Sequence, residues 1–435
     1  MSRESRFPND WLGVVLTPFQ EFFRQEAAGG IVLVACAAAA MAWANSPWAA
    51  DYHDLFATVL TVKFGGEGIE KPLLLWINDG LMAVFFFLVG LEIKREITAG
   101  ELSGLRKAAL PAAAAVGGMA VPALVYWLFN WGGDGVRGWA IPMATDIAFA
   151  IGVLALLGNR VPALAKVFLV AVAIVDDIGA VLVIAFFYTD QIQVTALQSA
   201  AGAFAFLVLL NLLGFRSAGL YVLGAAVLWY FVLKSGVHAT VAGVLAALTI
   251  PGRSGRKILP FPATALQSEG HPAEDRQPRE TTIAIHALKN LDPLLNRMEH
   301  ALHPWVTLVI MPVFALANAG VTLERGFLSG FLHPISLGIM AGLFLGKQIG
   351  ILGASWLAVK AGLAEIPEGV GWREIHGLGA LAGIGFTMSL FIASLAFGQG
   401  PLLDTAKTAI LAASLLSGIV GWSLLRFAPA ARQPA

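Results

Sequence analysis

The chain has 435 residues, of which 57% are hydrophobic and only 13% are charged, and its mean hydropathy is +0.75. Soluble domains carry about 25% charged residues, so this composition excludes a soluble globule, a disordered chain, a collagen and a coiled coil, and it indicates a polytopic membrane protein. The 28 basic and 28 acidic residues balance, which indicates no nucleic-acid partner, and the single cysteine, Cys36, excludes a disulfide framework and Cys-rich metal sites.

Apolar segments follow one another along almost the whole chain. Residues 1–27 lack a short apolar core with a cleavage site, so they are predicted to be a cytoplasmic segment and not a cleaved signal. Beyond them, an all-α transporter domain is predicted over 28–425, with a cytoplasmic tail at 426–435. A membrane helix needs about 20 apolar residues. Twelve segments qualify, near 28–46, 73–91, 108–129, 139–157, 167–188, 195–214, 218–233, 236–250, 304–320, 335–357, 375–397 and 405–425.

The distribution of cations predicts the orientation of these spans. Of the 28 Lys and Arg residues, 21 lie at the two termini and in the even-numbered loops, and six lie in the odd-numbered loops. Because cytoplasmic loops carry the excess of positive charge, both termini are predicted to be cytoplasmic. The remaining cation, Lys347, lies inside a predicted span.

The predicted external loop 51–72 contains a strand-like stretch. Residues Val59 to Phe64 alternate in polarity and are followed by Gly65 and Gly66, which is a hairpin signal. Strand edges outside the membrane pair readily, so we expect a hairpin at 61–69 that joins two copies in a homodimer. The alternative is a hairpin folded over the external face of its own chain.

The longest polar loop is predicted at 251–303, on the cytoplasmic side. Its middle, 253–281, is rich in Pro, Arg, Glu and Ser, a composition typical of mobile segments. Residues 282–301 regain helical periodicity, which is broken near Pro293, and are predicted to lie along the membrane surface.

Four charged residues lie in the centres of predicted spans, namely Asp146, Asp176, Asp177 and Lys347. Insertion scales give a cost of about 2.5–3.5 kcal/mol for each such charge, so a function is the default expectation, with mutual pairing that only fixes helix packing as the alternative. Adjacent residues on a helix point about 100° apart. One aspartate of the pair can therefore face a water-filled cleft while its neighbour pairs with Lys347.

Two predicted spans carry signals of interruption. Pro142 precedes Thr145 and Asp146 in the fourth span, and the eleventh span contains a glycine cluster with a threonine, at Gly377, Gly379, Gly383, Gly385 and Thr387. Close helix packing would also explain those glycines. Interrupted helices in corresponding positions of two halves indicate inverted repeats that cross at the midplane. There, Asp146 would neutralise the positive N-terminal helix ends and Lys347 the negative C-terminal ends.

Six segments of the sequence resemble NhaA-type sodium/proton antiporters, and the similarity runs from about residue 20 to residue 425. The segments are WINDGLMAVFFFLVGLEIKRE, ATDIAFAIGVLALLG, AIVDDIG, LKSGVHATVAGV, HPWVTLVIMPVFALANAG and GIGFTMSLFIASLAF. The resemblance implies twelve transmembrane helices with inverted repeats in a bacterial inner membrane. It also implies exchange of cytoplasmic Na+ or Li+ for external H+, with more protons moved than sodium ions, and neither an enzymatic activity nor a cofactor.

The resemblance assigns roles to the central charges. Asp177 matches the ion-binding carboxylate and Asp176 its neighbour, while Thr145 and Asp146 match the crossing and Lys347 the intramembrane lysine. Na+ and Li+ are hard cations that prefer oxygen ligands, which Asp177, Asp176 and Thr145 would supply. A carboxylate that holds either a proton or a cation is a minimal exchanger.

A second group of residues matches positions that the family associates with pH sensing. These are Glu92, Lys94, Arg95 and Glu96 at the end of the second span, and Glu299, His300 and His303 before the ninth. We hypothesise that protonated His300 and His303 are attracted to Glu92 and Glu96 and close the ion path in acid. The competing account is simple competition between H+ and Na+ at Asp177. The 251–303 loop is longer than is usual in the family.

Charged residues inside membrane spans also occur in proteins with three other functions. An intramembrane aspartyl protease could use Asp146 and Asp177, but its Gly-x-Gly-Asp signature is missing. A retinal protein could use Lys347, but such proteins have seven spans. The main alternative is a sodium-coupled organic solute symporter on a similar fold, which would need a larger pocket.

Overall fold

A computed structural model describes residues 11–64, 67–100, 104–189, 191–252, 293–322 and 330–427, with the side chains of 11–27 and of four isolated residues left out. Of the residues that the structure describes, 79% are helical. The helices are α1 (Trp11–Ala44), α2 (Ala49–Ala57), α3 (Leu73–Ala99), α4 (Leu105–Phe129), α5 (Ile147–Ala155), α6 (Ala163–Phe187), α7 (Val194–Leu212), α8 (Ala218–Ser235), α9 (Val241–Thr249), α10 (Leu294–Asn318), α11 (Pro334–Lys360), α12 (Trp372–Ala382), α13 (Phe386–Phe397) and α14 (Pro401–Arg426). A 3-10 helix, Asp134–Met143, precedes α5, and two strands, β1 (Val59–Phe64) and β2 (Glu67–Pro72), lie between α2 and α3.

The helices confirm a polytopic membrane protein. Within the described ranges, eight of them are long and apolar enough to cross a bilayer, namely α3, α4, α6, α7, α8, α10, α11 and α14. Three further pairs qualify if each bent pair is one span: α1 with α2, bent by 113°, the 3-10 helix with α5, bent by 43°, and α12 with α13, bent by 45°. By length and composition the described part of the chain thus contains eight to eleven spans.

The predicted span at 236–250 is shorter in the structure than the sequence pattern suggests. It contains only α9, whose nine residues extend about 14 Å, against about 30 Å for a bilayer core. Gly236 ends α8 in a left-handed conformation, with φ of +85°, and a side chain there would collide with the Gln191 carbonyl. Gly243 of α9 packs against the backbone of α3 at Ala83.

The predicted hairpin is present. Strands β1 and β2 pair in antiparallel register, with Val62 opposite Ile69. The Leu60 carbonyl accepts a hydrogen bond from Trp76 Nε1 at 3.0 Å, and the Gly68 carbonyl accepts one from Lys234 Nζ at 3.0 Å. The loop predicted at 51–72 also contains most of α2, whose helical pattern is too short to stand out in the sequence.

The prediction of a surface helix over 282–301 is wrong for the residues that the structure describes. From Leu294 the chain forms α10, a single helix that runs to Asn318 and includes the span predicted to begin near 304. Pro312 lacks an N–H, and the adjoining π-helical turn Val306–Ile310 is the kind of local adjustment that lets a helix continue past a proline. The remainder of the predicted 251–303 loop, 253–292, lies outside the described residues.

Among the described residues, two large apolar cores organise the bundle, beside a small cluster of Val89, Ile93 and Ile174. The larger core is built by α1 to α6 and α10 to α14, and the smaller one by α7 to α9 with parts of α3 and α10. In the larger core α4 and α11 approach so closely that a side chain at Gly117 would collide with the Gly350 carbonyl, and one at Gly350 with the Gly117 carbonyl. This contact lies about one helical turn from Lys347.

Candidate ion-binding site

The first break in the bundle separates the 3-10 helix from α5. After Met143 the backbone extends, with φ of −84° and ψ of 146° at Ala144, and α5 begins only after Asp146. Asp146 Oδ1 caps α5 by accepting a hydrogen bond from Phe149 N at 3.0 Å. The Asp146 N–H donates to the carbonyl oxygen of Ile384 at 2.7 Å. Ile384 lies in the second break, between α12 and α13, so the backbones of the two breaks are in direct contact.

The second break, Gly383 to Gly385, separates α12 from α13. A side chain at Gly383 would collide with the Leu343 carbonyl of α11, so glycine is required where these two backbones meet. At Gly385 the nearest atoms are side-chain atoms of Ser389 and Leu343. Asp146 Oδ2 accepts hydrogen bonds from Thr387 N at 3.0 Å and Thr387 Oγ1 at 2.5 Å. Asp146 therefore lies at the N-terminal ends of both α5 and α13, where the helix dipoles favour a negative charge.

The C-terminal end of α12 is met by Thr145, although Lys347 was expected there. Thr145 Oγ1 lies 2.9 Å from the Ala382 carbonyl oxygen and 2.7 Å from Asp176 Oδ2, within donating distance of both. Lys347 Nζ instead donates to Asp176 Oδ2 at 2.5 Å. Lys347 and Thr145 both contact Asp176 Oδ2. Lys347 is therefore connected to the C-terminal end of α12 only indirectly, through Asp176 and Thr145.

The two adjacent aspartates of α6 have different surroundings. The side chains of Asp176 and Lys347 are 0% exposed and form an ion pair, which is the contact expected from the sequence. Asp177 points elsewhere and lines a cavity of about 60 Å³. Its Oδ1 atom is buried and has no hydrogen-bond partner among the described residues. Since buried polar atoms are nearly always satisfied, this oxygen marks a place for a ligand or a proton.

The cavity joins the crossing to the group predicted to sense pH. Its polar lining combines Asp177, Thr145 and Asp146 with Glu92 and Arg95 of α3 and His303 and Thr307 of α10. Asp176 does not line it, so of the three proposed ligands the structure places two at the cavity wall. A volume of about 60 Å³ accommodates an ion with a few water molecules.

At the far end of the cavity, Arg95 connects α3 and α10. Its guanidinium forms ion pairs with Glu299 and, at 3.0 Å, with Glu96. His303 is buried, whereas His300 is exposed and its Nδ1 lies 2.8 Å from the Asn296 carbonyl oxygen of its own helix.

Of the predicted pH group, Glu92, Arg95 and His303 line the cavity. The other four members, Lys94, Glu96, Glu299 and His300, do not line it. Lys94 Nζ donates to the Leu248 and Ile250 carbonyls, both at 2.6 Å, and so caps the end of α9.

Several groups that contribute to the site have little or no signal in the sequence. The backbone carbonyls of Ala382 and Ile384 have no signature in a side-chain pattern. The sequence indicates Thr387 as part of the glycine cluster, but not as a hydrogen-bond partner of Asp146. No sequence pattern indicates Thr307, which lies in the cavity wall. For Ala382, Ile384 and Thr387, the one signal in the sequence is that they lie close to a predicted break.

The model of the Na+/H+ antiporter 1 family matches residues 20–425. The chain belongs to this family. An Na+/H+ antiporter NhaA of Oleidesulfovibrio alaskensis is 52% identical over 431 residues, which cover 97% of this chain and 96% of that protein. The NhaA proteins of Rhodospirillum rubrum and Salmonella paratyphi A are 51% and 49% identical, and they match 95% and 93% of this chain and 98% and 97% of their own lengths.

The resemblance to NhaA-type antiporters is thereby confirmed. Both breaks, both aspartates of α6 and Lys347 lie inside the range that the family model matches.

Proposed function

We propose that this antiporter-family chain exchanges Na+ for H+ across a bacterial inner membrane, with Asp177 as the group for which the two ions compete. The observation that carries the proposal is the Asp177 carboxylate, buried beside a cavity and holding one oxygen without a partner in the described structure. A carboxylate in that position binds a proton or a hard cation, but not both. Loading with one ion therefore requires release of the other.

The neighbouring groups complete the proposed ion site. Thr145 offers a hydroxyl oxygen at the cavity wall, whereas Asp176 does not line the cavity and is bound by Lys347 and Thr145 through Oδ2. Na+ and Li+ both prefer such oxygen ligands. Asp146 keeps the N-terminal helix ends in place, and Lys347 balances the charge of Asp176. The ions are cargo, and the proposal includes no resident cofactor.

The proposed topology has twelve spans and cytoplasmic termini. It counts the 3-10 helix with α5, and α12 with α13, as the two interrupted spans, α1 as a span of its own, and α9, with the turns before it, as a short span. The excess of cations in the even-numbered loops supports this orientation. In this arrangement cytoplasmic Na+ or Li+ is exchanged for external H+, and more protons than sodium ions move in each cycle.

The function is tested by ion flux in proteoliposomes that contain the purified chain. A pH-sensitive dye should report proton movement on addition of NaCl or LiCl, without any organic solute, and little movement on addition of KCl. A requirement for an organic solute would favour the symporter alternative. The cavity of about 60 Å³ argues against that alternative, since small-molecule pockets are typically about 300–1,000 Å³.

We further propose that His303 controls the cavity in response to pH. His303 lines the same cavity as Glu92 and Arg95. In acid the protonated imidazole is attracted to the carboxylates of this end of the cavity, and as pH rises it loses its charge and the attraction weakens. His303→Ala should therefore shift the pH profile of exchange towards acid, by about one pH unit.

His300→Ala is the matched control for this prediction. His300 is one turn away on the same helix, but it is exposed and bonded to its own backbone, so its removal should leave the profile in place. Exchange rates are measured from pH 6 to pH 9 at subsaturating and saturating Na+. If saturating Na+ restores the full rate of the parent protein in acid, and His303→Ala changes nothing, simple competition at Asp177 accounts for the pH dependence.

The third proposal is a homodimer joined through the hairpin at 61–69. Strand β1 exposes apolar residues, since Val59, Leu60 and Val62 are each about half exposed. Deletion of Val62–Glu67 should yield monomers by native mass spectrometry while exchange is largely retained, because no residue of the hairpin lines the cavity at Asp177.

Two substitutions sharpen the test of the dimer. Val62→Lys should also give monomers, because a lysine on a strand edge opposes pairing. Leu55→Lys on α2, outside the hairpin, is the control and should stay dimeric. Dimers that survive the deletion would support the alternative, a hairpin held over its own face through the contacts of Trp76 and Lys234.

A further inference from the structure

A second and larger cleft lies where three candidate spans begin or end. Its volume is about 560 Å³, and its walls come from the first turns of α4 and α6 and from the segment 362–368 that follows α11. The cleft shares no lining residue with the cavity at Asp177. Its size falls within the range of about 300–1,000 Å³ that is typical of small-molecule sites.

The cleft carries two pairs of opposite charge. Arg106 and Lys107 lie on the α4 side, and Glu365 and Glu368 lie in the segment after α11. All four side chains belong to exposed residues. In the part of the chain that is described, no ion pair joins the basic pair to the acidic pair. The cleft therefore presents a cationic site and an anionic site at once.

The rest of the wall is apolar and opens at the edge of the bundle. Leu110 and Phe168 form a buried floor, at 2% and 3% exposure. Leu164 and Leu363 line the rim and are 46% and 69% exposed. Exposed leucines beside charged residues at the ends of spans are typical of the boundary between headgroups and acyl chains.

A Trp–Lys contact supports this location. At the end of α11, just before the cleft segment, Lys360 Nζ lies 4.6 Å from the centre of the Trp356 ring. Tryptophan rings concentrate at membrane–water interfaces, and lysine side chains near helix ends reach towards them. The mouth of the cleft is thus expected at headgroup level.

We propose that this cleft binds the headgroup of one phospholipid that carries both a phosphate and a primary ammonium, phosphatidylethanolamine. The phosphate is held by Arg106 and Lys107, and the ammonium by Glu365 and Glu368. The acyl chains leave past Leu164 and Leu363. Phosphatidylglycerol has no ammonium and would leave the two glutamates unpaired beside a phosphate. The trimethylammonium of phosphatidylcholine has no N–H to donate.

The site is tested by native mass spectrometry of the full chain in detergent, with phosphatidylethanolamine, phosphatidylglycerol or phosphatidylcholine added at equal concentration. The parent protein should retain phosphatidylethanolamine preferentially. Arg106→Gln with Lys107→Gln should weaken binding of phosphatidylethanolamine by about tenfold or more, since each cation contributes to phosphate binding. Glu365→Gln with Glu368→Gln should reverse the preference, so that phosphatidylglycerol binds better than phosphatidylethanolamine.

Lys360→Gln is the control, because it removes a cation at the end of α11 that does not line the cleft. It should keep the parent's preference. Equal retention of the three lipids by the parent, or an unchanged preference in the glutamate variant, overturns the proposal. Competition by soluble O-phosphoethanolamine as effective as the lipid's own binding would overturn the assignment to a lipid. The readout is lipid binding, so its failure is distinct from failure of ion exchange.

Discussion

Asp177→Asn is expected to reduce sodium-driven proton movement in proteoliposomes to the background of empty vesicles. Asparagine has nearly the shape of aspartate, but it neither releases a proton at working pH nor offers a charge to Na+. The Asp177 oxygen without a partner beside the cavity is the atom at which competition is proposed, so its loss removes the exchange step itself. The variant should also lose Li+-driven flux.

Asp404→Asn is the matched control for this loss of exchange. Asp404 is an exposed aspartate in the first turn of α14, away from both breaks, and its substitution should leave exchange close to that of the parent. Both variants should insert and melt at similar temperatures in detergent. Exchange at the parent rate by a folded Asp177→Asn protein would disprove the assignment of this residue.

Lys347→Ala is expected to lower the melting temperature of the protein in detergent. The variant leaves the Asp176 carboxylate buried without its cation, and breaking a buried ion pair in this way costs about 3–5 kcal/mol. Thr145 still donates a hydrogen bond to Asp176, which offsets part of the loss. The new cavity beside the close contact of Gly117 and Gly350 adds to the destabilisation.

Asp176→Asn combined with Lys347→Ala should restore part of the lost stability, because the buried charge is then gone as well. A double-mutant cycle from the four melting curves measures the coupling, and a true pair should depart from additivity by more than about 0.5 kcal/mol. Lys360→Ala, an exposed lysine on the same helix, is the control and should have a small effect. Strictly additive losses would show that the contact does not stabilise the fold.

The sequence alone carries much of the architecture. Apolar runs of about 20 residues give most of the helices, because the bilayer sets that length. Pro142 and the glycine cluster locate both breaks, and Gly65-Gly66 locates the hairpin. Four charges in the predicted spans indicate a candidate site region without any structure, since their burial needs a reason. The family assignment follows from segments that are local in the sequence.

The tertiary structure decides which residues meet. Asp176 and Asp177 are adjacent, and helix geometry alone does not distinguish the one that pairs with Lys347 from the one that faces the cavity, which only the family resemblance indicated. That choice depends on how α6 is rotated against α11. The same holds for Thr145, which meets the carbonyl of Ala382, 237 residues away, and so occupies the place predicted for Lys347.

Periodicity failed where packing overrides local pattern. The periodicity of the segment before the ninth span predicts a separate surface helix. In the structure the residues from Leu294 onwards belong to α10 itself, which places His303 in the cavity wall. Arg95 and Glu299 are 204 residues apart and meet only because α3 and α10 pack together. Local sequence therefore determined the helices, the breaks and the presence of buried charge. Helix rotation and close glycine contacts, which are set by the whole bundle, determined which aspartate pairs with Lys347 and which one lines the cavity.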